Sequence, residues 1–234
     1  QSFPALSYLL DCLQKTPEEK QSATSSKADY KFINPAIEWI NKELSNSQKL
    51  KLPYGDKDLL YNFSKDWNSG NALNDSLYNN LSSFVFQEFE NSNRKTFKSN
   101  YTEAKAFLDK DFIVSNAVKN KNEKLEIKTA LLLSSNKIQV FSIIYKGKID
   151  CKNCEFPVTQ TQNNLISFSN GKIIDKLLIA SIVGNDLGQS ARYFYIDSDE
   201  TIHLKDFKSD EEGTSFMQYL KYKVEKGKFI KQSE

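Results

Sequence analysis

Between Leu165 and Phe207, short apolar runs alternate with tight turns, and no other stretch restricts the possible folds of this chain so strongly. Asn170-Gly171 separates the runs Leu165–Phe168 and Ile173–Ile182. Both central residues of a type I′ turn need positive φ, and Asn-Gly meets that need at the least steric cost. Gly184 to Gly188 closes the second run, and the aromatic run Arg192–Ile196 follows. Asp197-Ser198-Asp199-Glu200 then makes a polar turn before Thr201–Lys205. In that last run Ile202 and Leu204 share one parity, while Thr201, His203 and Lys205 share the other. The alternation predicts a strand with one buried and one wet face. Turns this short join antiparallel neighbours, because parallel neighbours need a crossover of roughly a dozen residues.

Upstream the period is helical. Helices are expected over 3–13, 34–45, 56–67, from Asn71 or Asn74 to Glu90, and over 103–108, each read from apolar stripes and capping residues. Beyond Phe112 strands return at Lys124–Leu133 and Lys137–Tyr145, and later at Ser215–Val224 and Phe229–Lys231. Pro157–Asn164 and the acidic Phe207–Thr214 read as loops. Helices first and strands second predict an α+β fold, with N-terminal helices packed on a C-terminal antiparallel meander of about seven strands. Residues 1–110 form the mainly helical region and 111–234 the β region, together one compact unit.

Composition narrows the partners. The 32 basic and 30 acidic residues are interspersed, for a net charge of +2. No clustered basic excess marks a nucleic-acid surface. No apolar run approaches the roughly 20 residues of a transmembrane helix. The 16 Phe and 11 Tyr supply bulky packing units. The chain starts at Gln1 and its one methionine is Met217, so a removed leader is expected, with the protein periplasmic or lipid-anchored at the envelope.

Few residues suggest chemistry. Cys151 and Cys154 have the CxxC spacing but lie between β segments instead of opening a helix, so a local disulfide across a turn is expected rather than redox or metal work. His203 is the lone histidine and must be the base of any Ser-His or Cys-His mechanism; its parity predicts a surface position, and no Gly-x-Ser-x-Gly elbow accompanies it. Asp197, Asp199 and Glu200 lack the glycine of a calcium loop and read as a solvated hairpin tip. Tyr193 and Tyr195 share one face of their strand and, facing out, would form an exposed aromatic patch, the expected interaction surface. No cofactor or metal is predicted.

These features favour an exported, non-enzymatic binding module for a protein, peptide or glycan. A carboxylate-based hydrolase with dispersed residues and a partner-blocking inhibitor are the alternatives.

Overall fold

The structure, a computed structural model, describes residues 38, 39, 42, 48–70, 75–100, 124–135, 138–149, 158–170, 172–185 and 188–233. The helices expected over 3–13 and 103–108 lie outside the described residues, as do Cys151 and Cys154; of the helix expected over 34–45, only positions 38, 39 and 42 are described, and they are helical.

The chain after Arg94 is one antiparallel meander: β3 (Lys95–Asn100), β4 (Lys124–Ser135), β5 (Ile138–Ile149), β6 (Val158–Ser169), β7 (Lys172–Asn185), β8 (Gly188–Ile196), β9 (Ile202–Asp210), β10 (Gly213–Glu225) and β11 (Lys228–Lys231). Each strand pairs with its predecessor in sequence, so spatial order follows chain order. Two short segments add to it. β1 (Tyr54–Gly55) pairs with the end of β8, and β2 (Asn68–Ser69) with the start of β10. Asn170, between β6 and β7, has φ 49°, as its expected hairpin turn demands.

The sheet is rolled. β11 stands four places from β7 in the strand order, yet the Phe229 amide donates to Asp175 Oδ2 at 2.9 Å and the Ser167 hydroxyl to the Gly227 carbonyl. The roll gathers Leu165, Leu177, Ile179, Ile202, Leu204 and Phe229 into one buried cluster.

Two helices are described in full. α1 (Asp58–Tyr61) is a single turn, shorter than the 56–67 expected, although Leu59 and Phe63 are buried as the pattern requires. α2 (Ser76–Glu90) is capped by Asp75, one residue beyond Asn74 and four beyond Asn71, the two expected openings: Asp75 accepts from the Tyr78 amide at 3.0 Å. Tyr78, Leu81 and Val85 are its buried stripe. α2 reaches both faces of β8, since Ser82 Oγ lies 2.5 Å from Tyr193 Oη and the Phe84 ring lies 5.8 Å from that of Phe194. Among the described residues, no helix is long and apolar enough to cross a membrane.

Three expectations are corrected. Residues 158–164 are strand, not loop: β6 lies between β5 and β7, and its buried Asn163 side chain accepts from Ser142 Oγ at 2.8 Å. Ladder pairing on both sides outweighs the poor strand propensity of asparagine. The acidic segment after Phe207 is likewise strand as far as Asp210, which pairs with Gly213 across a tight turn. The region expected to be mainly helical also contributes β1, β2 and β3 to the sheet.

Candidate functional site

The site grows from the face of β9 that carries His203, Lys205 and Phe207. All of Thr201–Lys205 is buried, so the alternation does not separate a dry face from a wet one. The segment after α1 supplies the missing cover. Phe207 sits at the centre of an aromatic cluster, with ring centroids 5.2 Å from Phe63, 5.6 Å from Trp67, 5.3 Å from Tyr78 and 5.7 Å from Tyr193. The Phe216 amide donates to the Trp67 carbonyl at 3.2 Å, tying this cover to β10. At the same edge Gly213, with φ 128°, lies so close to the Ser69 carbonyl that no side chain would fit.

His203 is 8% exposed, not the surface histidine expected. Its Nε2 lies 3.0 Å from Asp197 Oδ2 and its Nδ1 2.7 Å from Tyr219 Oη. A carboxylate only accepts, so Nε2 carries the proton in the neutral ring, and Nδ1 then accepts from the Tyr219 hydroxyl. Asp197 is fixed in turn, because its Oδ1 accepts from the Thr201 amide at 2.8 Å. The rings of Tyr219 and His203 are nearly parallel, with an interplanar angle of 9° and centroids 6.1 Å apart. This chain of three side chains sets the position of a phenol. It holds no serine, threonine or cysteine nucleophile of the kind that such a histidine activates.

Beside Tyr219 opens a cavity of about 240 Å³. Leu60, Phe63, Phe216 and Tyr219 form its apolar walls, and Ser64, Lys65 and Lys205 its polar lining. Lys205 is 7% exposed, and burial pushes its ammonium pKa below the usual lysine value. Its Nζ donates to the Phe63 carbonyl at 2.7 Å and lies 5.9 Å and 5.8 Å from the ring centres of Phe216 and Tyr219. No carboxylate among the described residues pairs with it.

The two expected interaction residues part company here. Tyr193 is 1% exposed and forms no surface patch, because α2 covers it and its hydroxyl meets Ser82 Oγ. Burial pushes its phenol well above the usual tyrosine pKa. Tyr195 is half-buried, with its ring 6.3 Å from that of His203, at the margin of the site. The Asp197–Glu200 turn is a hairpin tip as expected, with Asp199 exposed and 3.3 Å from Lys223 Nζ. Among the described residues, no group of three or more His, Cys, Asp or Glu could hold a metal ion.

A second polar cluster lies buried behind α2. Arg94 is 3% exposed, and its Nη2 donates to Glu88 Oε2 at 2.5 Å and to Tyr54 Oη at 2.6 Å. Its Nη1 donates to the Ser142 carbonyl and hydroxyl oxygens at 3.3 Å and 3.2 Å. The Tyr54 hydroxyl donates to the same Glu88 oxygen at 2.6 Å. The cluster joins β1, α2, β5 and, through Ser142 and Asn163, β6. Its five polar partners neutralise and position one another, which marks it as a structural clamp.

Lys205, Tyr219 and Arg94 went unmarked in the sequence. Lys205 shares the parity of His203, but recognising its place requires the pairing Lys205 with Tyr219, and that register depends on a bulge at Met217. Comparison with family models, with curated proteins and with solved structures finds no match to this chain.

Proposed function

We propose that this chain is a non-enzymatic binding module that takes its ligand in the notch between the segment after α1 and the strands β9 and β10. The observation that carries the reading is the cavity itself, walled by Leu60, Phe63, Phe216 and Tyr219 and floored by a buried cation. Apolar concavities with a few converging polar groups are the usual form of ligand sites. The half-buried Tyr195 and the 80% exposed Tyr61 extend aromatic surface beyond the mouth. A carboxylate hydrolase asks for two acids facing each other across a cleft. The lining residues here include no Asp or Glu, so the cavity lends that alternative no support. Work outside the cytoplasm belongs with this reading, as does a disulfide between Cys151 and Cys154.

The test is amide NMR of the full chain against a library of small fragments. The expected result is shifts concentrated at Leu60–Lys65, Lys205 and Phe216–Tyr219, with every fragment recovered chemically unchanged. Shifts confined to other surfaces would refute the location, and a transformed fragment would refute the non-enzymatic reading. A thiol titration of the native protein yielding reactive Cys151 and Cys154 would refute the disulfide.

A further inference from the structure

Lys205 is the unusual group of this notch. Buried charges are ordinarily paired, because an ammonium stripped of water loses more than one neutral acceptor returns. Lys205 has one such acceptor, the Phe63 carbonyl, and three N–H bonds to place. The rings of Phe216 and Tyr219 add a weak cation–π attraction. No acidic side chain lines the cavity. The depressed pKa of Lys205 is what an ammonium awaiting its counter-ion would show.

The walls define the rest of the ligand. Leu60, Phe63, Phe216 and Tyr219 border a half-open space smaller than the roughly 300–1,000 Å³ of sites for drug-sized molecules, which suits a single ring with a short arm. Tyr219 is a fixed wall, since His203, itself held by Asp197, bonds its hydroxyl. A carboxylate matches the notch better than a phosphate, since one point-charge lysine balances a single negative charge and the lining holds no arginine fork.

We propose that the notch binds a small aromatic carboxylate, its carboxylate on Lys205 Nζ and its ring against Phe63, Phe216 and Tyr219. This assignment rests on the notch being the ligand site. Lys205 then meets its counter-ion only in the bound state. The Lys205 ammonium repels cationic analogues and gives neutral ones no charge to balance.

The experiment is an NMR titration of the full chain with phenylacetate and with phenylacetamide, which differ only at the charged group. Phenylacetate is expected to shift the lining amides in the millimolar range, about ten-fold more tightly than the amide, the value of one charge-assisted hydrogen bond. Lys205→Met should abolish that preference, so that the two probes bind the variant equally. Equal affinity of the two probes for the wild-type chain would overturn the carboxylate assignment while leaving the notch as a binding site. Lining amides that respond to neither probe would overturn both. The wild-type comparison decides the matter even if Lys205→Met fails to fold.

Discussion

Lys205 Nζ donates a 2.7 Å hydrogen bond to the carbonyl oxygen of Phe63, a residue 142 positions earlier in the chain. One bond thus joins the sheet to its cover and fixes a positive charge in the lining of a cavity. A protein gains little stability from an ammonium held this way, because desolvation opposes the hydrogen bond. The arrangement makes sense as a site kept ready for an anion.

The pH dependence of stability reports that cost. Burial lowers the pKa of Lys205 in the folded chain below the ordinary lysine value of 10.5. Below the lowered value both folded and unfolded chains hold the proton, and the full penalty is felt. Between the lowered value and 10.5 the folded chain has lost a proton that the unfolded chain keeps, so stability rises with pH. Tyr54, Tyr78 and Tyr193 act in the opposite sense, since burial raises their phenols and their contribution is lost above about pH 10. Subtracting the stability of Lys205→Met cancels the tyrosines. The wild-type chain should gain on the variant as pH climbs towards 10.5, measured by urea denaturation. A flat difference would mean that Lys205 is solvated.

The imidazole of His203 should carry its proton on Nε2 whenever it is neutral, because Asp197 accepts there and Tyr219 donates to Nδ1. Long-range proton–nitrogen NMR distinguishes the tautomers, and an Nδ1 proton would contradict the arrangement. Tyr219→Phe leaves Nδ1 without its donor and should cost about 1–3 kcal/mol.

Arg94 and Glu88 should be strongly coupled. Arg94→Met leaves the Glu88 carboxylate and the Tyr54 hydroxyl without their shared donor, at a cost of about 3–5 kcal/mol. Adding Glu88→Gln removes the stranded charge, so the double variant should lose less than the sum of the two single ones. Simple additivity in urea denaturation would show that the clamp is not a unit.

The legible part of this fold was its local geometry. Asn170-Gly171, the Gly184–Gly188 loop and the Asp197–Glu200 turn dictate hairpins whatever surrounds them, and the meander follows from them. What misled was the solvent. A parity rule treats Thr201, His203 and Lys205 as wet because they are polar, yet Phe63 from 142 residues upstream and Tyr219 from the next strand close over that face, and Asp197 of the preceding turn binds His203. Tyr193 failed for the same reason, covered by α2, which no local pattern assigns to β8. The strand character of Gln162, Asn163 and Asn164 was hidden because pairing on two sides, not propensity, decides it. The site was therefore illegible where it depends on register: Lys205 meets Tyr219 only because Met217 bulges out of β10, 58% exposed.

The most direct measurement is a crystal structure of the protein soaked with 4-bromophenylacetate, read from the anomalous signal of bromine. The account predicts a bromine peak between Phe63, Phe216 and Tyr219, with a carboxylate oxygen at about 2.7–2.9 Å from Lys205 Nζ. Bromine bound elsewhere, or Lys205 already paired with a carboxylate of the protein, would contradict it.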